Sequence, residues 1–315
     1  MLSVVIPVFN EEESLRPLHA RLAPVLSGLG MPSETIFVND GSSDASESVL
    51  ARLAAEDRNV RVINFRRNFG QTAAMMAGFD HARGEIVVPM DSDLQNDPED
   101  IPRLLEKLAE GYDVVSGWRR DRRDHARRTF ASRVANRLIS WISGVRLHDY
   151  GCTLKAYRRD VLRGVKLYGE MHRFIPIYAS WQGGRVTEIE VAHNPRRFGA
   201  SKYGFERIVK VLLDLIVVKF LANYATRPIY VFGGFGLASL ALSFLAGLWA
   251  LYLKYFEDTS FILTPLPLLV AMTFLAGITS ILMGLLAEVI MRTWYEAQGK
   301  PVYLVKSTLN LERAD

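Results

Sequence analysis

Two long uncharged segments constrain the fold of this chain more than any other feature. Residues 229–253 read IYVFGGFGLASLALSFLAGLWALYL and residues 265–287 read PLPLLVAMTFLAGITSILMGLLA. Each is longer than the roughly 20 apolar residues that a helix needs to cross a bilayer. A pair of buried core helices is the alternative, but two such runs side by side favour the membrane. We therefore predict transmembrane helices over residues 229–253 and 265–290.

The charges around these segments predict their orientation. The connecting segment KYFEDTSFILT carries one lysine and two acids, whereas basic residues flank the outer ends: Arg207, Lys210, Lys219, Arg227, Arg292, Lys300, Lys306 and Arg313. The positive-inside rule then places both termini in the cytoplasm. The start, MLSVVIPVFNEEE, lacks the basic region of a secretory signal peptide.

The single cysteine and the clustered arginines restrict the possible cellular compartment and binding partners. Cys152 is the only cysteine, which excludes an intramolecular disulfide and fits a reducing compartment. Residues 119–137 contain eight arginines and two aspartates with little aromatic interleaving. Next to a membrane anchor, such a segment favours anionic head groups or a lipid phosphate over nucleic acid. A solvated basic face is the alternative.

Strand-like and helix-like segments alternate over residues 1 to about 204. The strand-like runs are LSVVIPVF, ETIFVND, VRVINF, EIVVPMD and YDVVSGW, with helical patterns between them. This alternation predicts a mostly parallel sheet with right-handed crossovers. Ligands of such sheets bind beyond the carboxyl ends of the strands, and the polar motifs all follow predicted strands. These motifs lie at residues 10–11, 40–44, 66–71 and 91–95.

The stretch VVPMDSDLQNDPED, residues 87–100, concentrates acids after a predicted strand. Asp91 and Asp93 on alternate residues can bind Mg²⁺ or Mn²⁺, and Gln95 would add an uncharged oxygen. A lone Asp-x-Asp is also common by chance. The later acids have a different explanation, since negative charge stabilises the start of a helix. They are Asp97, Glu99 and Asp100.

Two further loops are candidate binding elements. Asp40, in FVNDGSSD, can accept hydrogen bonds from a nucleobase imide or a ribose hydroxyl. The alternative is that this motif is only a turn that leads into the next helix, with Ser43 or Asp44 as the helix cap. Gly70, in RRNFGQ, lets the backbone approach a ligand.

Amphipathic patterns over about 126–145 and 205–228 favour helices at the membrane surface. Ordinary packing against the domain is the alternative for both.

Six motifs, in order, carry a resemblance to a known family: VVIPVFNEE, VNDGSSD, RNFGQ, MDSDLQNDPE, HDYGCTLKAYRR and RRFGASKY. They resemble the family-2 inverting glycosyltransferases of the GT-A fold. More narrowly, the chain is similar to bacterial polyprenyl-phosphate (dolichyl-phosphate-type) sugar synthases with two C-terminal membrane helices. The resemblance implies a Rossmann-like, mostly parallel GT-A catalytic domain over residues 1–204 and a cytoplasmic tail over 291–315. It also implies the bacterial inner membrane.

The resemblance implies roles for individual residues. It makes Asp91, Asp93 and Gln95 ligands of Mg²⁺ or Mn²⁺, with Asp93 also catalytic, and gives Asp149 the position of the catalytic base. It assigns nucleotide-sugar contacts to Pro7, Phe9, Asn10, Glu11, Val38, Asp40, Gly70, Gln71, Asp91 and Ser92. It assigns phosphate and acceptor contacts to Arg119, Arg133, Arg196, Ser201 and Lys202. Because the second pKa of a phosphate monoester is near roughly 6, Asp149 can also serve only to orient the acceptor.

We therefore predict a metal-dependent membrane glycosyltransferase that moves one sugar from a UDP-sugar to undecaprenyl or another polyprenyl phosphate with inversion. The resemblance favours UDP-glucose, although the residues do not identify the sugar. A non-catalytic nucleotide-sugar sensor or scaffold is the alternative, and a glycolipid flippase is disfavoured because both spans lack central ionisable residues. We also expect a homo-oligomer, as a tetramer, with the tail KPVYLVKSTLNL forming an edge strand that pairs with a partner subunit.

Overall fold

The computed structural model describes residues 1–120, 136, 139–140, 143–163, 171–195, 229–296 and 303–311. The chain divides into two compact units. One contains Met1–Val218 together with Pro301–Asp315, and the other contains Lys219–Lys300. Most of the predicted surface helix at about 126–145, and all of the one at 205–228, lie outside the described residues.

An eight-stranded mixed sheet organises the described part of the first unit, in the order β7-β5-β6-β4-β1-β2-β3-β8. The strands β1 to β4 run parallel where they pair, and β7 is parallel to β5. The strand β6 is antiparallel to β4 and β5, and β8 is antiparallel to β3. The strands are β1 (Leu2–Val8), β2 (Ser33–Asn39), β3 (Val60–Phe65), β4 (Ile86–Pro89), β5 (Val114–Trp118), β6 (Lys155–Arg158), β7 (Val186–Glu190) and β8 (Val305–Leu309).

Helices connect the parallel strands and cover the sheet. All seven residues of β1 are buried, as expected for a strand with helices on both faces. The buried side of α1 consists of Leu15, Leu18, Leu22 and Leu26, which recur at the helical spacing. The helices of this unit are α1 (Glu12–Gly28), α2 (Ser46–Glu56), α3 (Gln71–His81), α4 (Ile101–Ala109) and α5 (Ile175–Trp181).

The tail strand β8 confirms that the tail forms an edge strand. It pairs with β3 of its own chain and is the outermost strand of the described sheet, so pairing of its other edge with a partner subunit stays a prediction. Tyr303 leads into it, stacks on Phe65 with ring centroids 5.2 Å apart, and donates a hydrogen bond to Asp80 at 2.9 Å. After the strand, Asn310 donates to the carbonyl oxygen of Val60 at 2.8 Å. These contacts fix both ends of β8 to the first unit.

The second unit is built on two long apolar helices, α6 (Ile229–Phe256) and α7 (Leu266–Glu296). Their candidate membrane spans are Val231–Phe256 and Leu266–Ala287, and only 17% and 11% of the most apolar windows are buried inside the protein. Such exposure disfavours the alternative of buried core helices. Length and composition alone make both helices able to cross a bilayer.

The two apolar helices pack closely where glycines face each other. A Cβ at Gly236 would lie 2.8 Å from the carbonyl oxygen of Gly277, and a Cβ at Gly277 would lie 2.9 Å from that of Gly236. The Ser243 hydroxyl donates across the pair to the carbonyl oxygen of Val270 at 2.9 Å. Small residues and hydrogen-bonding hydroxyls are the usual means of helix association in lipid.

Gly78 provides a test of the packing of α3 on β1. A Cβ at this position would overlap the Cγ1 atom of Val5, in the middle of the buried strand. We expect Gly78→Ala to lower the free energy of unfolding by about 1–3 kcal/mol through overpacking. Thermal unfolding should show a melting temperature several degrees lower.

The matched control is Gly28→Ala, because a Cβ on Gly28 would meet nothing within 4 Å. This control should leave the melting temperature unchanged or slightly raised. Equal effects of the two substitutions would contradict the packing described for α3.

Candidate active site

The predicted site residues gather at the carboxyl edge of the parallel strands. Pro7 and Val38 are buried register partners near the ends of β1 and β2. Phe9 follows β1 and is half-buried. Since β1 pairs with β2 on one side and β4 on the other, the loops after these three strands lie next to one another.

Hydrogen bonds join the loop after β1 to the loop after β2. Asn10, at a φ of 53°, accepts a hydrogen bond from the backbone amide of Ser43 at 2.8 Å. The backbone amide of Glu11 donates to the Ser46 hydroxyl at 3.0 Å. The N-cap residue of α2 is Ala45, and not Ser43 or Asp44 as predicted, although the Asp44 side chain accepts a hydrogen bond from the Ser46 amide at 3.0 Å. These contacts hold the two motifs in one arrangement.

The Asp40 carboxylate orders the loop that leads to α3. It is 3% exposed, and its two oxygens accept hydrogen bonds from the amides of Phe69 at 2.7 Å and Gly70 at 2.9 Å. Burial raises the pKa of Asp40 above its usual range, while the two amides and Arg67 lower it in part. Gly70 has a φ of +95°, which favours glycine at the start of α3. Asp40 therefore fixes the conformation of the Gly70 loop, which we predicted to approach a ligand.

The acid cluster after β4 is held by its neighbours. Gln71, the first residue of α3, donates a hydrogen bond to Oδ1 of Asp91 at 2.9 Å. The backbone amide of Asp91 donates to Asn96 at 3.3 Å. Asp93 is 8% exposed and accepts from the Gln95 amide at 3.1 Å. Gln71 therefore links the helix after β3 to a predicted metal ligand.

The chemistry of this cluster suits a hard divalent cation. Asp91, Asp93 and Gln95 offer two carboxylates and one amide oxygen, the ligand types that Mg²⁺ and Mn²⁺ prefer. Among the described residues, no group of three or more His, Cys, Asp or Glu side chains could hold a metal ion. Water or substrate oxygens would complete such a ligand set, as is usual for Mg²⁺ bound with phosphates.

The remaining acids of the cluster start a helix, which confirms the structural explanation for them. Asp97 accepts a hydrogen bond from the Glu99 amide at 3.2 Å and caps a short 3₁₀ turn. Asp100 accepts from the Ala192 amide at 2.7 Å and pairs with Arg103 at 2.6 Å.

A buried ion pair joins two predicted site residues that lie thirty positions apart. The Arg119 guanidinium donates from Nε and Nη2 to the two oxygens of Asp149, at 2.7 and 3.1 Å. Burial tends to lower the pKa of Arg119, but the charge and hydrogen bonds of Asp149 outweigh it and hold the guanidinium charged. The charge of Asp91 acts in the same direction, although more weakly than that of Asp149.

Sequence reasoning missed Lys155, which lies beneath the Asp149 loop. It is 2% exposed, and its Nζ donates to the carbonyl oxygens of Tyr150, at 3.4 Å, and Cys152. Burial lowers the pKa of Lys155 to about 8, although nearby Cys152 and Asp149 act in the opposite direction. The sequence feature that could have indicated this residue is a lysine between two apolar residues, Leu154 and Ala156, which are buried. A charged group inside a buried strand needs hydrogen-bond or ionic partners.

Four predicted phosphate-contacting residues cannot be placed. They lie outside the described residues and are Arg133, Arg196, Ser201 and Lys202.

Comparison with known proteins identifies the family. The family model described as Glycosyl transferase family 2 matches residues 3–165, more than half of the chain. The chain belongs to glycosyltransferase family 2. A dodecaprenyl-phosphate galacturonate synthase of Rhizobium johnstonii is 43% identical over 314 residues, covering 97% of this chain and 92% of that protein. An undecaprenyl-phosphate 4-deoxy-4-formamido-L-arabinose transferase of Klebsiella pneumoniae is 39% identical, with 97% and 92% covered.

Solved structures confirm the GT-A fold of this glycosyltransferase. The glucosyl-3-phosphoglycerate synthase of Mycobacterium tuberculosis, crystallised with Mn²⁺, uridine diphosphate and phosphoglyceric acid, superposes with a TM-score of 0.55. It is 20% identical, and the match covers 70% of this chain and 78% of that one. At this identity the likeness establishes the fold alone.

Lys155 gives the glycosyltransferase a characteristic dependence of stability on pH. Its pKa is about 8 in the folded protein against an ordinary value of 10.5, so between these values the unfolded chain binds more protons. Raising the pH through this window should therefore stabilise the wild type relative to Lys155→Met, by about 1–3 kcal/mol. Melting temperatures of both proteins from about pH 7.5 to 10 check this, and a difference that is constant or moves the other way contradicts it.

Proposed function

We propose that this glycosyltransferase transfers one sugar from a nucleotide donor to a prenyl phosphate at a membrane surface. The observation that carries the proposal is the extent of the match to two prenyl-phosphate sugar transferases. Each alignment covers 97% of the chain, and so spans both the sheet unit and the apolar helices. A chain that shares only the sheet would support sugar transfer without indicating a lipid acceptor.

The relatives point to a sugar other than the glucose favoured by sequence analysis. One is named for galacturonate and the other for 4-deoxy-4-formamido-L-arabinose. We propose a uronate or a 4-amino-pentose derivative as the sugar, with UDP-galacturonate as the first donor to test. The UDP moiety is part of the proposal and is supported by the nucleotide bound to the M. tuberculosis enzyme.

The donor would bind across the loops after β1, β2 and β4. Asp91, Asp93 and Gln95 would hold a divalent cation, whose charge would stabilise the departing diphosphate. The Mn²⁺ in the M. tuberculosis enzyme supports this choice without deciding between Mg²⁺ and Mn²⁺ here. Gln71 would keep Asp91 in place through its 2.9 Å hydrogen bond.

The transfer would be a single displacement with inversion. An oxygen of the acceptor phosphate attacks the anomeric carbon while the bond from that carbon to the diphosphate oxygen breaks on the opposite face. The acceptor is largely a dianion at neutral pH, since its second pKa is near roughly 6, so little proton removal is needed. Asp149, with both oxygens engaged by Arg119, is better suited to orienting the acceptor and the guanidinium than to acting as a strong base.

The return of the chain to its sheet supports a membrane topology. The sheet unit contains the residues before the apolar helices up to Val218, and it also contains β8, which follows those helices and pairs with β3. A segment whose two ends belong to one folded sheet crosses a bilayer an even number of times. We propose that α6 and α7 cross the bacterial inner membrane once each, with the sheet and both termini in the cytoplasm, as the flanking basic residues indicate.

Direct product analysis tests the proposed activity. The full-length protein in detergent, given Mn²⁺, undecaprenyl phosphate and radiolabelled UDP-sugars, should form a labelled glycolipid with UDP-galacturonate or a UDP-4-amino-pentose and little with UDP-glucose. Thin-layer chromatography of the lipid phase measures it. Absence of glycolipid across the whole donor panel would refute the proposal.

A substitution at the acid cluster tests the metal role. Asp93→Asn should lower kcat/KM by about 10²–10³-fold, because it removes charge from the proposed cation site. It should also raise the Mn²⁺ concentration needed for half-maximal activity. Glu99→Gln is the control, since Glu99 is an exposed acid of the same segment. Equal activity of the two variants would exclude metal binding at Asp93.

A further inference from the structure

Two stacked rings lie directly beside the Arg119–Asp149 ion pair. The ring centroids of Trp118 and His148 are 4.2 Å apart, and their planes are inclined by 17°. Trp118 immediately precedes Arg119, and His148 immediately precedes Asp149. The dipeptides Trp118–Arg119 and His148–Asp149 therefore contact each other twice, once through their rings and once through their charged side chains.

Strand β7 fastens the His148 side of this arrangement. One oxygen of Glu188 accepts a hydrogen bond from the His148 backbone amide at 2.8 Å, and the other contacts the ring at Nδ1. The Glu188 side chain is 16% exposed, whereas that of His148 is 66% exposed. In the parallel pairing of β5 with β7, Glu188 lies opposite Ser116, two residues before Trp118. Glu188 thus ties His148 to the strand pair that carries Trp118.

The loop that carries Asp149 lacks the strand pairing that fixes Arg119. Arg119 directly follows β5. The carbonyl oxygen of Trp118, the last residue of β5, accepts a hydrogen bond at 3.0 Å from the backbone amide of Val191, which directly follows β7. Residues 145–151, in contrast, belong to no helix or strand. The Gly151 amide donates a hydrogen bond to Oδ1 of Asp149 at 3.1 Å, and the position of the loop itself depends on side-chain contacts such as those of His148.

We propose that Trp118, His148 and Glu188 form a clasp that orients the Arg119–Asp149 pair for sugar transfer. The inference rests on the proposed function, in which that pair orients the acceptor phosphate. The clasp residues are positioning residues, because they act through the ion pair. Displacement of a reacting group by about 1 Å can lower a rate about a hundredfold, so a clasp of this kind controls turnover.

Steady-state kinetics on the full-length protein test the clasp. His148→Ala and Trp118→Ala should each lower kcat about ten- to a hundredfold, with the donor KM changed by less than about threefold. Trp118→Phe should recover most of the loss because it retains a ring for stacking. The control is Arg16→Ala, which breaks an exposed ion pair with Glu56 on the α1–α2 surface and should leave kcat unchanged.

A double substitution separates positioning from general damage. In an Asp149→Asn background, His148→Ala should lower kcat by less than about threefold more, since the group it positions is already lost. A full multiplicative loss in that background would overturn the proposal. So would wild-type kcat in His148→Ala and Trp118→Ala.

Amide hydrogen exchange tests the clasp independently of activity. Exchange of residues 145–151 should be at least about tenfold faster in His148→Ala than in the wild type and Arg16→Ala, with the strands of the sheet unchanged. Unchanged exchange in this loop would overturn the proposal even if kcat fell. If the wild type makes no glycolipid with any donor, the proposed function fails, and exchange alone still decides whether the clasp orders the loop.

Discussion

The parallel pairing of β1 with both β2 and β4 is the constraint on which the site depends. Pro7 lies opposite Val38 on one side, and Val5 lies opposite Pro89 on the other. Because β1 is buried on both faces, its register depends on the fit of individual side chains, such as Val5 against Gly78 of α3, and not on an alternation of apolar and polar residues. The loops that follow the three strands are consequently brought together with little freedom, and their hydrogen bonds to one another complete the arrangement.

The candidate site contains charged side chains of both signs, and their removal from water on folding costs free energy. Asp93 and Asp149 are buried acids, Lys155 is a buried cation, and the Arg119 side chain is only 11% exposed. A buried ion pair contributes little net stability, because the loss of hydration offsets most of the attraction. The Arg119–Asp149 pair is therefore better explained by its chemistry than by the fold. Fixed charges in a site that excludes water act strongly on a phosphate, since solvent does not screen them.

The sequence predicted the local parts of this structure better than the distant pairings. Five strands rich in β-branched residues and the helical start after Asp97 were recognisable from local patterns alone. Strands such as β7, with its two glutamates, carry weaker patterns, and the partner of β8 depends on a contact between residues 245 positions apart, such as Ile63 with Thr308. The pairing of Arg119 with Asp149 and the burial of Lys155 also arise only in three dimensions. Family motifs predicted a set of site residues, but not which of them would form hydrogen bonds with one another.

The position of β8 after both apolar helices has a consequence for biosynthesis. A ribosome delivers the first seven strands and both apolar helices before residues 305–309 emerge. Until then β3 is an open edge of the nascent sheet, with backbone groups that other extended chains can recruit. Pairing with β8 therefore covers the edge of β3 only after both apolar helices have been synthesised. A prematurely terminated chain would retain the open edge, a feature that quality-control proteases and chaperones can recognise.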